Sequence, residues 1–220
     1  MTFYTGNIYN TIAFHLEETT WKVDEILHSQ IMAQVLPYEE KTILRCTQLS
    51  PTMGKTAIIK AHLQIPDNSG DALDGAVNAA CKTEIDALRQ LTKRGCSSVP
   101  QLISYCQMTQ PEGFPLPGGY LVCILMEMVS GKSIMDFWEY DRETRDRIRE
   151  AFRKSWRDVN NAGVYHIDSG LRNLLWDEKT GKCYMMDFEC ASTDQKRSSF
   201  CDAEYVFWEL VRIKDDEYVW

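Results

Sequence analysis

The chain has 220 residues, of which 44% are hydrophobic and 25% charged, and its formal net charge is −8 at pH 7. The apolar fraction predicts a globular protein with a buried core. An acidic chain without a basic stripe binds phosphate backbones poorly, so we expect no nucleic-acid partner. The longest apolar run, 121–126, is far shorter than the ~20 residues of a membrane-spanning helix. We therefore expect no membrane partner, and the first ten residues lack a signal-peptide pattern, which indicates a cytoplasmic protein.

The first forty residues contain an apolar pattern whose spacing is typical of one helix face. It is formed by Val23, Ile26, Leu27 and Ile31. We expect this stretch to pack on the smaller of two lobes, and a surface for a partner is the alternative. The role of residues 1–40 stays open.

The next segment predicts a β-hairpin followed by a helix. One strand-like run begins at Thr42 and a second spans 56–65. The turn between them carries Pro51 and Gly54. Apolar residues then recur at helical spacing over about 74–93. Gly95 is a plausible end for this helix.

Two more strands, over 99–106 and 120–128, flank a loop rich in proline and glycine. Beyond the connector Ser130–Gly131 the pattern is helical, with a helix over 141–161 that starts at a capping residue. Two short strands follow, over 173–176 and 182–186. A last amphipathic helix is predicted over about 202–213.

Four polar residues in the second half of the chain have the residue types that phosphoryl transfer requires. His166 and Asp168 form a His-x-Asp pattern, Asn173 follows five residues after the aspartate, and Asp187 begins the sequence Asp-Phe-Glu. Phosphoryl transfer needs a carboxylate to orient the attacking hydroxyl and oxygen ligands that hold Mg²⁺ against the phosphates. Taken one at a time, the histidine would more often be an ordinary core residue, and the aspartates would merely end strands.

The combined spacing resembles the protein-kinase-like superfamily, in particular a truncated fungal-type kinase-like domain, and is also similar to small-molecule kinases of the aminoglycoside phosphotransferase type. The resemblance implies an α+β, two-lobed protein-kinase-like fold. Its small antiparallel-sheet N-terminal lobe would span 1–129 and its shortened helical C-terminal lobe 132–220, with a hinge near 126–131.

The resemblance also implies the roles of the residues in the second lobe. Asp168 would be the catalytic base, His166 a structural brace, and Asn173 and Asp187 the Mg²⁺ ligands. Arg172 would supply a positive charge beside the catalytic base, although an ordinary surface arginine explains it as well.

In the first lobe, the resemblance implies that Lys60 contacts the ATP phosphates and that Glu84 braces it. Glu127 and Met128 would lie in the hinge whose main chain holds the adenine. As alternatives, Lys60 would be an ordinary lysine of an edge strand, and Glu84 would lie on a solvated helix face. The segment with Glu127 and Met128 would be a buried strand that leaves the sheet.

Three features depart from the family pattern. The segment Val35–Glu40 stands where a glycine-rich loop is expected but has no glycine, and Glu39 and Glu40 would repel phosphates if they pointed inward. Gly170 replaces a lysine typical of protein kinases, which favours a small-molecule acceptor over a protein. The short stretch after Asp187 predicts a reduced lobe that a protein partner could complete.

The leading hypothesis is an ATP- and Mg²⁺-dependent phosphotransferase that moves the γ-phosphate to a hydroxyl of an unidentified substrate. The alternative is a pseudokinase that binds or scaffolds without phosphoryl transfer. A kinase fold turned to a small metabolite and another reaction is the third possibility.

Overall fold

The computed structural model describes residues 8–9, 13–34, 36–67, 76–193, 199–214 and 217–220. The protein is α+β, with a large antiparallel sheet and few helices. The chain divides into two compact units. Unit 1 comprises Met1–Ile85 and Leu102–Met128, and unit 2 comprises Asp86–Gln101 and Val129–Trp220. The predicted lobes and hinge stay a prediction.

Unit 1 contains a six-stranded antiparallel sheet. In the order of the sheet, its strands are β1 (Ala13–Leu16), β2 (Thr19–Met32), β3 (Glu39–Ser50), β4 (Thr56–Gln64), β6 (Tyr120–Glu127) and β5 (Leu102–Thr109). Side chains alternate between buried and partly exposed positions along β3, as the two-residue period of a strand requires. The buried face forms an apolar core that includes Leu44, Ile59 and Leu125.

The predicted hairpin is confirmed, because β3 and β4 pair directly, with Thr47 opposite Thr56 next to the turn. The strand predicted over 120–128 is confirmed as β6. The strand predicted over 99–106 begins and ends three residues later, as β5.

The helix expected around Val23 to Ile31 is wrong, since these residues belong to β2. The pairing of β2 with β3 shifts register between Thr20 and Trp21, between Val23 and Glu25, and between Ile26 and His28. The first irregularity inserts an extra residue into β3, and the other two insert Asp24 and Leu27 into β2, so the inward-facing positions of β2 are spaced unevenly. The apolar residues therefore recur every three or four positions although the chain is extended.

Helix α1 (Ala79–Lys93) has its first half in unit 1 and its second half in unit 2. The predicted start at residue 74 lies outside the described residues. The predicted end is confirmed, because Gly95 has a φ of 69° and its N–H donates to the Thr92 carbonyl at 3.0 Å.

Unit 2 is organised around α2 (Arg142–Asn161), which confirms the predicted helix. The Asp141 carboxylate caps it by accepting a hydrogen bond from the Thr144 N–H at 2.7 Å. The buried Ser155 hydroxyl donates to the Cys183 carbonyl at 2.5 Å and thereby ties α2 to the neighbouring hairpin. That hairpin consists of β9 (Leu174–Asp177) and β10 (Lys182–Met185), and it was also predicted.

Several short elements of unit 2 were not predicted. They are β7 (Lys132–Ser133) beside β9, β8 (Tyr165–His166) paired with β11 (Ala191–Ser192), and 3-10 turns at Phe137–Glu139 and Leu171–Asn173. The expectation that the chain is helical from residue 132 to Gly163 is therefore wrong before α2. Unit 2 combines one long helix with several short strands, which corrects the expectation of a mainly helical lobe.

The last helix is shorter than predicted. Helix α3 (Ala203–Phe207) ends well before residue 213, and the chain continues as the hairpin β12 (Arg212–Lys214) and β13 (Glu217–Val219). The cause is a left-handed residue, Glu209, with a φ of 61°. After it, the N–H groups of Leu210 and Val211 both turn back to the Tyr205 carbonyl.

Helix α3 carries a buried acid whose protonation should affect stability. Trp156 donates its indole N–H to Glu204 at 3.0 Å, and burial raises the pKa of Glu204 above its ordinary value of 4.5. Between the unfolded and folded pKa values, only the unfolded state is ionised, so stability falls as pH rises through this window.

We predict that Glu204→Gln keeps the Trp156 hydrogen bond and becomes progressively more stable than the parent protein as the pH rises above about 4.5. Urea unfolding at several pH values measures the difference. Glu112→Gln, at an exposed loop position, is the control. A stability difference for Glu204→Gln that does not grow with pH would contradict the assignment.

Candidate functional site

The segment from His166 to Asn173 is held by hydrogen bonds to the chain that surrounds Asp187. Strand β8 pairs with β11, so that His166 lies opposite Ala191, and the Ile167 N–H donates to the Cys190 carbonyl at 2.9 Å. The chain then closes a 3-10 turn that ends at Asn173. Both motifs identified in the sequence thus belong to one local structure within unit 2.

Asn173 fixes the position of Asp168. The buried Asn173 amide donates to the Asp168 backbone carbonyl at 2.7 Å and to its carboxylate at 3.2 Å. This double contact uses the amide nitrogen, which leaves the amide oxygen as the atom able to bind a cation. The Asp168 side chain is 41% exposed and can therefore meet a substrate.

Arg172 forms a short ion pair with the carboxylate of Asp168. Gly170 makes room for it, because a Cβ at this residue, which has a φ of 154°, would collide with the Arg172 guanidinium. The pair is about half exposed, and exposed ion pairs contribute little to stability. Its effect is to place a positive charge on the predicted catalytic base, as the sequence suggested.

Asp187 follows β10 in a left-handed conformation, with a φ of 59°, and its side chain is exposed. The residue before it is fixed from two sides. The Met186 N–H donates to the Asn173 carbonyl at 2.9 Å, and His166 donates from Nε2 to the Met186 carbonyl at 2.8 Å. Non-glycine residues with positive φ concentrate at functional sites, where surrounding contacts maintain the strain.

His166 is buried against the rings of Phe188 and Trp208, at centroid distances of 4.9 and 5.0 Å. Burial lowers the pKa of His166 below 6.5, although the carboxylates of Asp187 and Asp168 act in the opposite direction. A neutral ring can donate through Nε2, as His166 does to Met186. The predicted role of His166 as a brace stays a prediction.

In unit 1, the predicted partners Lys60 and Glu84 meet. The Lys60 ammonium lies 2.7 Å from the Glu84 carboxylate, and the two side chains are only 8% and 3% exposed. Strand β4 places Lys60 between Ile43 of β3 and Ile124 of β6. Both side chains are buried, and Lys60 has a strand on either side. Glu84 therefore does not lie on a solvated helix face, and Lys60 is not an edge-strand lysine.

The Lys60–Glu84 pair belongs to a larger buried network that the sequence did not reveal. His62 lies 3.9 Å from the Glu84 carboxylate and 3.4 Å from that of Glu39, which also accepts a hydrogen bond from the Tyr120 hydroxyl at 2.6 Å. His62 is two residues from Lys60 on β4 and so projects from the same face, which is the one signal that the sequence offered.

Glu39 and Glu40 do not lie in a phosphate-covering loop, as the sequence suggested, but are the first two residues of β3 and are fully buried. Glu40 accepts a hydrogen bond from Ser29 at 2.8 Å. The expected repulsion of phosphates by inward-pointing loop carboxylates therefore does not apply to them.

Glu127 is the last residue of β6, and Met128 follows it; both are exposed. Glu127 pairs with Ala57 of β4 in the sheet. Their predicted contact with adenine through the main chain stays a prediction.

Comparison with protein families agrees with the resemblance to the protein-kinase-like superfamily, in its small-molecule kinase type. The model of the lipopolysaccharide kinase (Kdo/WaaP) family matches residues 74–202, and the chain belongs to this family. The matched span includes Glu84 and the motif residues of unit 2 but begins after Lys60. Comparison with curated proteins found no significant match. Among the described residues, no helix is long and apolar enough to cross a membrane.

The buried Lys60–Glu84 pair yields a prediction about stability. Lys60→Met leaves a buried carboxylate without its cation and should lower the free energy of unfolding by about 3–5 kcal/mol. The double variant Lys60→Met/Glu84→Gln should recover much of this loss. Urea unfolding of the single and double variants measures the coupling, and additive losses would show that the two charges do not depend on each other.

Proposed function

We propose that this protein transfers the γ-phosphate of ATP to a hydroxyl group of a small molecule. The observation that carries the proposal is the fixed placement of Asp168, Asn173 and Asp187 in one hydrogen-bonded structure. A carboxylate, an amide oxygen and a second carboxylate are the groups that this reaction requires. The two compact units would correspond to the N- and C-terminal lobes of a kinase-like fold.

The residues suit Mg²⁺ and ATP as cofactors. Oxygen ligands are those that Mg²⁺ prefers, and the Asn173 amide oxygen and the Asp187 carboxylate supply them. When bound, Mg²⁺ would neutralise charge on the phosphates. Lys60, held by Glu84, would provide a further positive charge for the phosphates, and the main chain at Glu127 and Met128 would bind adenine.

Asp168 would orient the acceptor hydroxyl and accept its proton. Arg172 occupies this carboxylate, so an incoming hydroxyl would displace the guanidinium, which could then turn toward the transferred phosphate. His166 would hold Met186, and through it Asp187, in place.

The family description names lipopolysaccharide, and we extend to this chain only the acceptor class, a hydroxyl of a small molecule or of a glycolipid headgroup. Gly170 supports this choice, because it stands where a protein kinase carries a lysine. We also propose a cytoplasmic location, where ATP is available.

The decisive variant is Asp187→Asn, which keeps the size of the side chain but removes the metal-binding charge. We predict a loss of ATP turnover of at least about 100-fold with the fold preserved. Phosphate release from ATP in the presence of Mg²⁺ measures it, and circular dichroism checks the fold. Asp202→Asn, at an exposed position in the same unit, is the control and should be fully active. Equal turnover by Asp187→Asn would refute the metal role.

The ion pair between Asp168 and Arg172 also favours a second candidate, a pseudokinase whose base is permanently occupied. A ligand at a hundredfold excess over its Kd stabilises by about 2.7 kcal/mol, so thermal unfolding with ATP and Mg²⁺ reports binding. Binding without turnover in the parent protein and in Arg172→Ala would support the pseudokinase. Turnover by the parent protein would exclude it, whereas turnover by Arg172→Ala alone would show that the guanidinium blocks the base.

A further inference from the structure

Unit 1 contains two cysteines that lie side by side in its sheet. Cys106 of β5 is directly opposite Cys123 of β6. The pairing around them is regular, because the register shift between these strands lies earlier in β5, between Leu102 and Ser104. Both residues carry thiols, as all eight cysteines of the chain do. The sheet therefore holds two oxidisable groups next to each other.

The two side chains project to the same face of the sheet, as opposite residues of neighbouring strands do. Cys123 belongs to the buried apolar core of unit 1, and Cys106 packs against that core. Directly opposite Cα atoms in antiparallel strands are about 4.5–5.5 Å apart, and a disulfide spans Cα separations of about 4.4–6.8 Å. A bond between the two sulfurs therefore requires no change of register.

The order of the strands limits which cysteine can bridge to Cys123. Cys46 of β3 is buried in the same core, but β4 lies between β3 and β6. Two strand spacings put the Cα atoms of Cys46 and Cys123 about 9 Å or more apart, beyond the ~7 Å that a disulfide tolerates. Among the cysteines in the described strands of this sheet, only Cys106 is within reach.

The two thiols differ in reactivity. A hydrogen bond from the Cys123 thiol lowers the pKa of Cys106, although burial acts in the opposite direction. The same hydrogen bond, and then burial, raise the pKa of Cys123. Cys106 is partly exposed on the last strand of the sheet, whereas Cys123 is fully buried. Because the thiolate is the reacting form of a cysteine, Cys106 is the thiol that an oxidant meets first.

We propose that Cys106 and Cys123 form a redox-active pair, which hydrogen peroxide converts into a disulfide between β5 and β6 and which a dithiol reductant restores. The Cys106 thiolate attacks one peroxide oxygen, the O–O bond breaks, and the departing hydroxide takes up a proton to form water. Cys106 is then a sulfenic acid. The Cys123 sulfur attacks the Cys106 sulfur, and its proton leaves with the sulfenic hydroxyl as a second water. Together the two thiols lose two electrons and two protons, and peroxide is reduced to water.

The pair suits a reversible modification better than a permanent cross-link. In the proposed cytoplasmic location, disulfides are mostly transient because cellular thiols reduce them. A reductant can attack the Cys106 sulfur, which is the more exposed of the two. The hydrogen bond that raises the pKa of Cys123 ends once Cys106 is oxidised, so this contribution no longer opposes the second step.

Peptide mapping by mass spectrometry tests the proposal. The full chain is treated with a small excess of hydrogen peroxide, its remaining thiols are alkylated, and it is digested without reductant. We expect a linked pair of peptides that carry Cys106 and Cys123, lighter than their sum by two hydrogen atoms, and recovery of both thiols with dithiothreitol. Cys201→Ser removes an exposed thiol from unit 2 and is the control, in which the same bridge should form.

Two further variants separate the two steps. In Cys123→Ser, Cys106 should stop at the sulfenic acid and be labelled by dimedone, whereas the parent protein should form the bridge instead. Cys106→Ser, at the more exposed position, should leave the Cys123 thiol reduced. This second result decides which thiol reacts first even where Cys123→Ser does not fold.

The proposal is overturned if Cys106 stays reduced at peroxide concentrations that oxidise the exposed Cys201. It is equally overturned if Cys123 links to Cys81 or to another cysteine in place of Cys106, or if Cys123 is oxidised as readily in Cys106→Ser as in the parent protein. Since no measurement uses ATP turnover, the redox pair stands or falls independently of the proposed phosphotransfer.

Discussion

The two hydrogen bonds at Met186 are the constraint on which the candidate site depends. Strands β9 and β10 pair with Met185 opposite Leu174, and one further step along this ladder places Met186 opposite Asn173. The Met186 N–H meets the Asn173 carbonyl there, and His166 holds the other side of Met186. The separation of Asn173 from Asp187 is therefore set by a hairpin. One extra residue in its turn would shift the register and turn these side chains to the opposite face.

Sequence patterns predicted the elements whose periodicity is regular. Helix α2 has a capping residue and an unbroken apolar face, and the β3–β4 hairpin alternates around a clear turn. Strand β2 could not be recognised, because its register shifts imitate helical spacing. The end of α3 was equally hidden, since nothing in the sequence marks Glu209 as left-handed. Sequence periodicity does not predict local irregularities that depend on a partner strand or on packing.

In the candidate site, too, the sequence predicts contacts between nearby residues but not contacts between distant segments. Asn173 bonds to Asp168 only five residues away, so the spacing of the motif itself encodes the contact. The Lys60–Glu84 pair could be predicted only through the resemblance. The contacts of Glu39 with His62 and Tyr120 join residues from three strands, and no sequence pattern within one segment predicts them. Burying them together is costly, and the hydrogen bonds among them offset part of that cost.

The ion pair between Arg172 and Asp168 is compatible with catalysis for an energetic reason. Both side chains are about half exposed, and pairs of this kind contribute at most about 1 kcal/mol. A substrate hydroxyl could therefore displace the guanidinium at little cost, while Asn173, which is buried, would still orient the aspartate. The ion pair is thus a weak argument against the proposed phosphoryl transfer. The stronger constraint lies in unit 1, where the loop between β2 and β3 lacks the glycines that let a main chain approach phosphates closely.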